Sequence, residues 1–104
     1  MEALNGILKE ELNRLINLKE NYEHKLKKFQ KGSLIKKEIK GHAYYYLNYR
    51  DNNKKVFKYL GKLNKEEIFR LENSIKERRN IQKLYNQVKR NIIELKKISR
   101  EKKK

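Results

Sequence analysis

The hydrophobic period of this chain changes twice along its length. Over residues 3–30 and 63–101 apolar side chains recur every three or four positions, and over 33–61 they fall on alternate positions. A three-to-four period places apolar residues on one stripe of a helix. A two-residue period places them on one face of a strand. Two long helices must therefore bracket a short sheet. A sheet of so few strands is unstable alone and needs an element to pack on. The expected class is α+β: a long antiparallel, coiled-coil-like helical hairpin with a three-stranded antiparallel β-meander inserted between its arms. Residues 1–104 are read as a single domain.

In the first helix, over 3–30, Leu8, Leu15, Tyr22 and Phe29 form a heptad seam, widened by Leu4, Leu12, Leu18 and Leu26. Gly32 is expected at its C′ position, where a left-handed backbone ends a helix. The second helix, over 63–101, opens on Asn64 and Glu67, the spacing of a capping box. Its seam is Ile68, Leu71, Ile75, Ile81, Tyr85, Val88, Ile92 and Leu95, interrupted by Arg78. Arg78 either snorkels or marks a change of register. At 1.5 Å per residue the helices span roughly 40 and 57 Å. The longer overhangs the shorter and leaves a basic tail over 99–104.

Between them, Leu34–Lys40, Ala43–Arg50 and Lys54–Leu60 read as strands, rich in Ile, Val, Tyr and Phe. Gly41-His42 and Asp51-Asn52-Asn53 read as turns. Leu26, Phe29, Ile68 and Phe69 are the expected support beneath the sheet. Alternation within each strand separates two sets. Ile35, Ile39, Tyr45, Leu47, Tyr49, Phe57 and Tyr59 are almost wholly apolar, broken only by Lys37 and Lys55, and are expected to face the helices. The other set leaves Lys36, Lys40, Tyr44, Tyr46, Asn48, Arg50, Lys54 and Lys58 exposed. Flat rings between cations suit a polyanion whose bases stack and whose phosphates need charge. Arg50 offers a planar fork to a base edge or phosphate, and Asn48 the amide that reads adenine. The same pattern also fits tyrosines that only support cross-strand pairs on a solvated face.

Charge supports the polyanion reading. The net charge of +16 is unevenly spread: +1 over residues 1–30, +6 over 31–61 and +9 over 62–104. Lys76, Arg79, Lys83 and Arg90 lie off the apolar seam of the second helix at steps of three, four and seven residues. That stripe can follow a phosphate backbone, or it can be the solvated flank of a coiled coil. Nucleic acid, DNA or RNA, is the expected partner.

Other classes find little support. Cysteine is absent, so no disulfide or thiolate chemistry is available. His24 and His42 have no second ligand at metal spacing. The adjacent carboxylates Glu10-Glu11 and Glu66-Glu67 diverge by about 100° on a helix and cannot act as a dyad. There is no phosphate-binding loop and no dinucleotide turn. A non-enzymatic protein without metal or cofactor is expected. The N-terminus carries acids within its apolar stretch, unlike a signal peptide. With no apolar run of membrane length, a cytoplasmic protein is expected. Surplus apolar residues, Leu4, Leu12 and Leu18 with Ile92, Ile93 and Ile98, leave a coiled-coil homodimer open.

Residues 32–62 resemble an uncharacterised family of phages, plasmids and other mobile elements. The matching positions are Gly32-Ser33-Leu34, Lys37, Ile39-Lys40-Gly41, Tyr44-Tyr45-Tyr46-Leu47, Tyr49-Arg50, Lys54-Lys55 and Tyr59-Leu60-Gly61-Lys62. The helical flanks match in kind. Family members often have glycine in the second turn, where this chain has Asp51-Asn52-Asn53. More distantly, the run is similar to the arm-DNA-binding domains of tyrosine recombinases, in which a three-stranded sheet backed by a helix enters the major groove. Small basic phage proteins also include anti-CRISPR inhibitors. That likeness implies a second possible partner, a host nuclease such as a CRISPR effector complex.

Overall fold

The computed structural model describes the backbone of residues 2–101 and the side chains of 5–99. The Leu4 side chain and the end of the basic tail, residues 102–104, lie outside the described residues. Helix α1 spans Glu2–Lys28, strand β1 Ser33–Ile39, β2 His42–Asp51 and β3 Lys54–Gly61, and helix α2 runs from Lys65 to Glu101. The strands form an antiparallel sheet of order β1-β2-β3, as a meander must. The expected α+β class, with the meander between two helices, is what the chain adopts. No helix among the described residues is long and apolar enough to cross a membrane.

The backbone divides into two compact units that share α2 between them, one of residues 1–28 with 80–104 and one of residues 29–79. The first unit is a helical hairpin. Leu15, Val88 and Ile92 are its buried centre, with Leu12, Ile16, Leu18, Tyr22 and Leu95 packed around them. The Tyr85 hydroxyl reaches across to Glu23 Oε1 at 3.0 Å. Pairing of Leu15 with Val88 and Ile92, and of Glu23 with Tyr85, fixes the arms as antiparallel. Desolvation, helped by the Glu23 hydrogen bond, raises the Tyr85 pKa above its ordinary value. Of the apolar surplus, Ile92 belongs to the core, whereas Ile93 and Ile98 are exposed.

The second unit holds the sheet and residues 65–79 of α2. Asn64 caps that helix: its Oδ1 accepts the Glu67 N–H at 2.8 Å, which satisfies one of the free donors of the first turn. Ile75 is buried, and it lines clefts with both Leu34 and Tyr49, which sets it against the inner side of the sheet. Ser74 Oγ on the same stretch accepts the Gln30 N–H at 2.7 Å. Phe69, expected beneath the sheet, is 66% exposed.

Pairing in the sheet corrects the division of faces. Ile39 stands opposite His42, and Asp51 opposite Lys54, so each turn has two central residues. These are Lys40-Gly41 and Asn52-Asn53, all with positive φ (52°, 80°, 49° and 66°), the geometry of type I′ hairpins. A two-residue turn pairs odd-numbered residues with even-numbered ones. The inner face is therefore Leu34, Tyr45, Leu47, Tyr49 and Val56, with Tyr45 and Leu47 buried. Ile35, Ile39, Phe57 and Tyr59 lie on the outer face, not the inner one. A shift of one residue in pairing carries a whole strand's side chains to the other side. Near its end β3 carries one extra residue, Leu60, because Tyr46 faces Tyr59 while Tyr45 faces Gly61.

Candidate nucleic-acid interface

Cross-strand pairing builds the outer face in rows. Arg50 faces Lys55. Asn48 lies between Ser33 and Phe57, and Tyr46 between Ile35 and Tyr59. Tyr44 faces Lys37 and His42 faces Ile39. The Tyr46 and Tyr59 rings are 5.2 Å apart between centroids, and Tyr44 and Tyr59 are 6.4 Å apart. With Ile39 they line an open groove of ≈350 Å³. Lys37 Nζ lies 5.1 Å from the Tyr46 ring centre and Lys62 Nζ 5.9 Å from that of Tyr44, within cation–π range. Phe57 and Tyr59 are 61% and 57% exposed.

The face carries no carboxylate. The only acids on the strands, Glu38 and Asp51, are placed by pairing on the inner side, opposite Ala43 and Lys54. Such a surface attracts anions without an internal competitor for its cations.

The residues expected to bind are divided by the fold. Tyr44, Tyr46, Asn48 and Arg50 are together on the outer face. Lys36, Lys54 and Lys58 are not with them: they stand opposite Tyr45, Asp51 and Leu47, on the other side. Lys36 is moreover 3.3 Å from Glu38. Lys40 occupies the first turn. Lys76 and Arg79 belong to the sheet's unit, and Lys83 and Arg90 to the hairpin unit. Sequence reasoning passed over Lys37, Lys55, Phe57 and Tyr59. The signal that finds them is the length of the turns, since a two-residue connection reverses parity between neighbouring strands.

At one end of the sheet lies a second feature. The chain between α1 and β1 comes down onto β2 at Gly32, which has φ 106°. A Cβ there would collide with the Asn48 carbonyl oxygen and crowd Tyr49 Cβ at 2.8 Å. Gly32 is thus required by close approach rather than as the helix C′ residue, since α1 has already ended at Lys28. Arg79 Nη2 fixes the junction, donating to Ser33 Oγ at 2.9 Å and to Gly32 O at 3.3 Å. Beside it opens a cleft of ≈360 Å³ lined by Lys31, Arg50, Lys55, Arg78 and Arg79, with Ser33, Asn48 and Tyr49 among its walls. Arg50 and Lys55 are the end row of the outer face, so face and cleft are continuous.

An acid-free sheet face of clustered rings thus lies beside a cleft lined by cations. Residues 7–70 match the domain of unknown function DUF6788, and the chain belongs to that family. The match includes all three strands and the start of α2. No curated protein and no solved structure matches the chain.

Proposed function

We propose that this protein binds a nucleic-acid strand on the outer face of its sheet, as a non-enzymatic binding protein of the cytoplasm. The observation that carries the reading is the Tyr44–Tyr46–Tyr59 cluster, with Tyr59 and Phe57 exposed and Tyr44 and Tyr46 half-buried, on a face that bears cations and no acid. Rings that pack no core offer flat faces to unstacked bases, while Lys37, Arg50, Lys55 and Lys62 neutralise phosphates. Exposed clusters favour single strands, because a duplex keeps its bases stacked on each other.

Fluorescence anisotropy with labelled single-stranded DNA, single-stranded RNA and duplex DNA, at about 50 mM salt, tests this. Single strands bind at micromolar protein or tighter. Tyr59→Ala or Phe57→Ala, both at exposed positions, weakens single-strand binding by about tenfold or more and duplex binding by less. Equal losses on both substrates shift the mechanism to phosphate contact alone. Failure of every probe to bind rejects the proposal.

A further inference from the structure

We propose that the cleft beside Gly32 is a phosphate pocket. It takes one phosphate group, and on the reading above that phosphate belongs to the bound strand. Four cationic side chains from three separate segments converge on it, Lys31 from the junction, Arg50 and Lys55 from the β2–β3 hairpin and Arg79 from α2, with Arg78 also in its wall. Like charges gather at a cleft only against their mutual repulsion, which an anion relieves. The walls hold no carboxylate to relieve it internally. The neighbouring cleft, which shares Arg79, differs in having Glu72 in its lining.

Geometry also suits a phosphate. Arg79 is tied to Gly32 and Ser33 through Nη2 alone, so its guanidinium is a positioned positive charge. Arg50, from the end row of the outer face, adds a second guanidinium to the lining. Guanidinium groups match phosphate oxygens two at a time, as an ammonium cannot. Ser33 and Asn48 add neutral donors at the wall. A volume of ≈360 Å³ exceeds what a lone carboxylate fills and admits a phosphate with part of its nucleoside, against Tyr49.

The test is amide and arginine-Nε NMR of the full chain titrated with inorganic phosphate, then with an oligothymidylate. Arg50→Gln is compared with Lys9→Gln, which removes an equal charge from an exposed position on α1. Phosphate is expected to shift Gly32, Ser33, Asn48 and the Arg50 and Arg79 Nε signals saturably. Arg50→Gln weakens that binding at least fivefold, and Lys9→Gln leaves it unchanged. Shifts spread over all lysines without saturation overturn the pocket, as does equal behaviour of the two variants. If the oligonucleotide moves the Tyr44, Tyr46 and Tyr59 ring signals but not the cleft, the pocket falls and the strand reading stands. Saturable phosphate binding without oligonucleotide binding supports the pocket and rejects the strand reading.

Discussion

Gly32 shows how one residue without a side chain shapes a site. Its positive φ and its contact with the Asn48 carbonyl leave no room for a Cβ, and that contact closes the floor of the cationic cleft. Gly32→Ala is expected to destabilise the protein by about 1–3 kcal/mol, since the backbone must move and a left-handed conformation becomes strained. Chemical denaturation reads the loss, and an unchanged midpoint would show that the junction can retreat from β2 freely. The glycine itself was conspicuous in the sequence, but its reason was not. A glycine after a helical stretch reads as a helix stop, whereas here it serves a tertiary approach that only the pairing of β1 with β2 creates.

At the scale of elements, the first hairpin is less well served by its sequence than the second. Asn52-Asn53 tolerate left-handed backbone through local hydrogen bonding, whereas Lys40 sits at φ 52° with no such compensation. Lys40→Asn, which creates the Asn-Gly pair favoured by type I′ turns, is expected to stabilise the protein by about 0.5–1 kcal/mol. A lower thermal midpoint in that variant would mean that Lys40 makes a compensating contact. The same turns explain what sequence reading reaches and where it stops. Both helix seams were legible, down to Asn64 as cap and Ile75, Ile81, Val88 and Ile92 as buried positions, because a 3.6-residue period is self-contained. Strand identity was legible for the same reason. The relation between strands was not: alternation says which residues of one strand share a face, but only the turn length says which faces coincide. Reading Asp51 as part of the second turn sent Phe57 and Tyr59 to the wrong side and brought Lys54 and Lys58 to the outer face in their place. Tyr44, Tyr46, Asn48 and Arg50 share the outer face as expected because they all lie on β2.

For the whole molecule, charge is shared rather than concentrated. The sheet's unit holds fourteen basic and six acidic residues, and the hairpin unit fifteen and seven, so each has a net charge of +8. Total charge therefore does not distinguish the units; acid-free geometry does. If about five phosphates are neutralised on the outer face and cleft, log K for a single strand falls against log salt with a slope near −3.5. Arg50→Gln is expected to flatten that slope by about 0.7, measured by anisotropy over a salt series. A slope unaffected by Arg50 would place the electrostatic contacts elsewhere. The lysines that the register turned away from the rings have a different consequence. Lys36, Lys54 and Lys58 lie on β1 and β3, the two open edges of the sheet. An open edge invites a neighbouring chain to add a strand, and lysines along it discourage one. They guard the sheet against growing into an aggregate by edge-to-edge pairing.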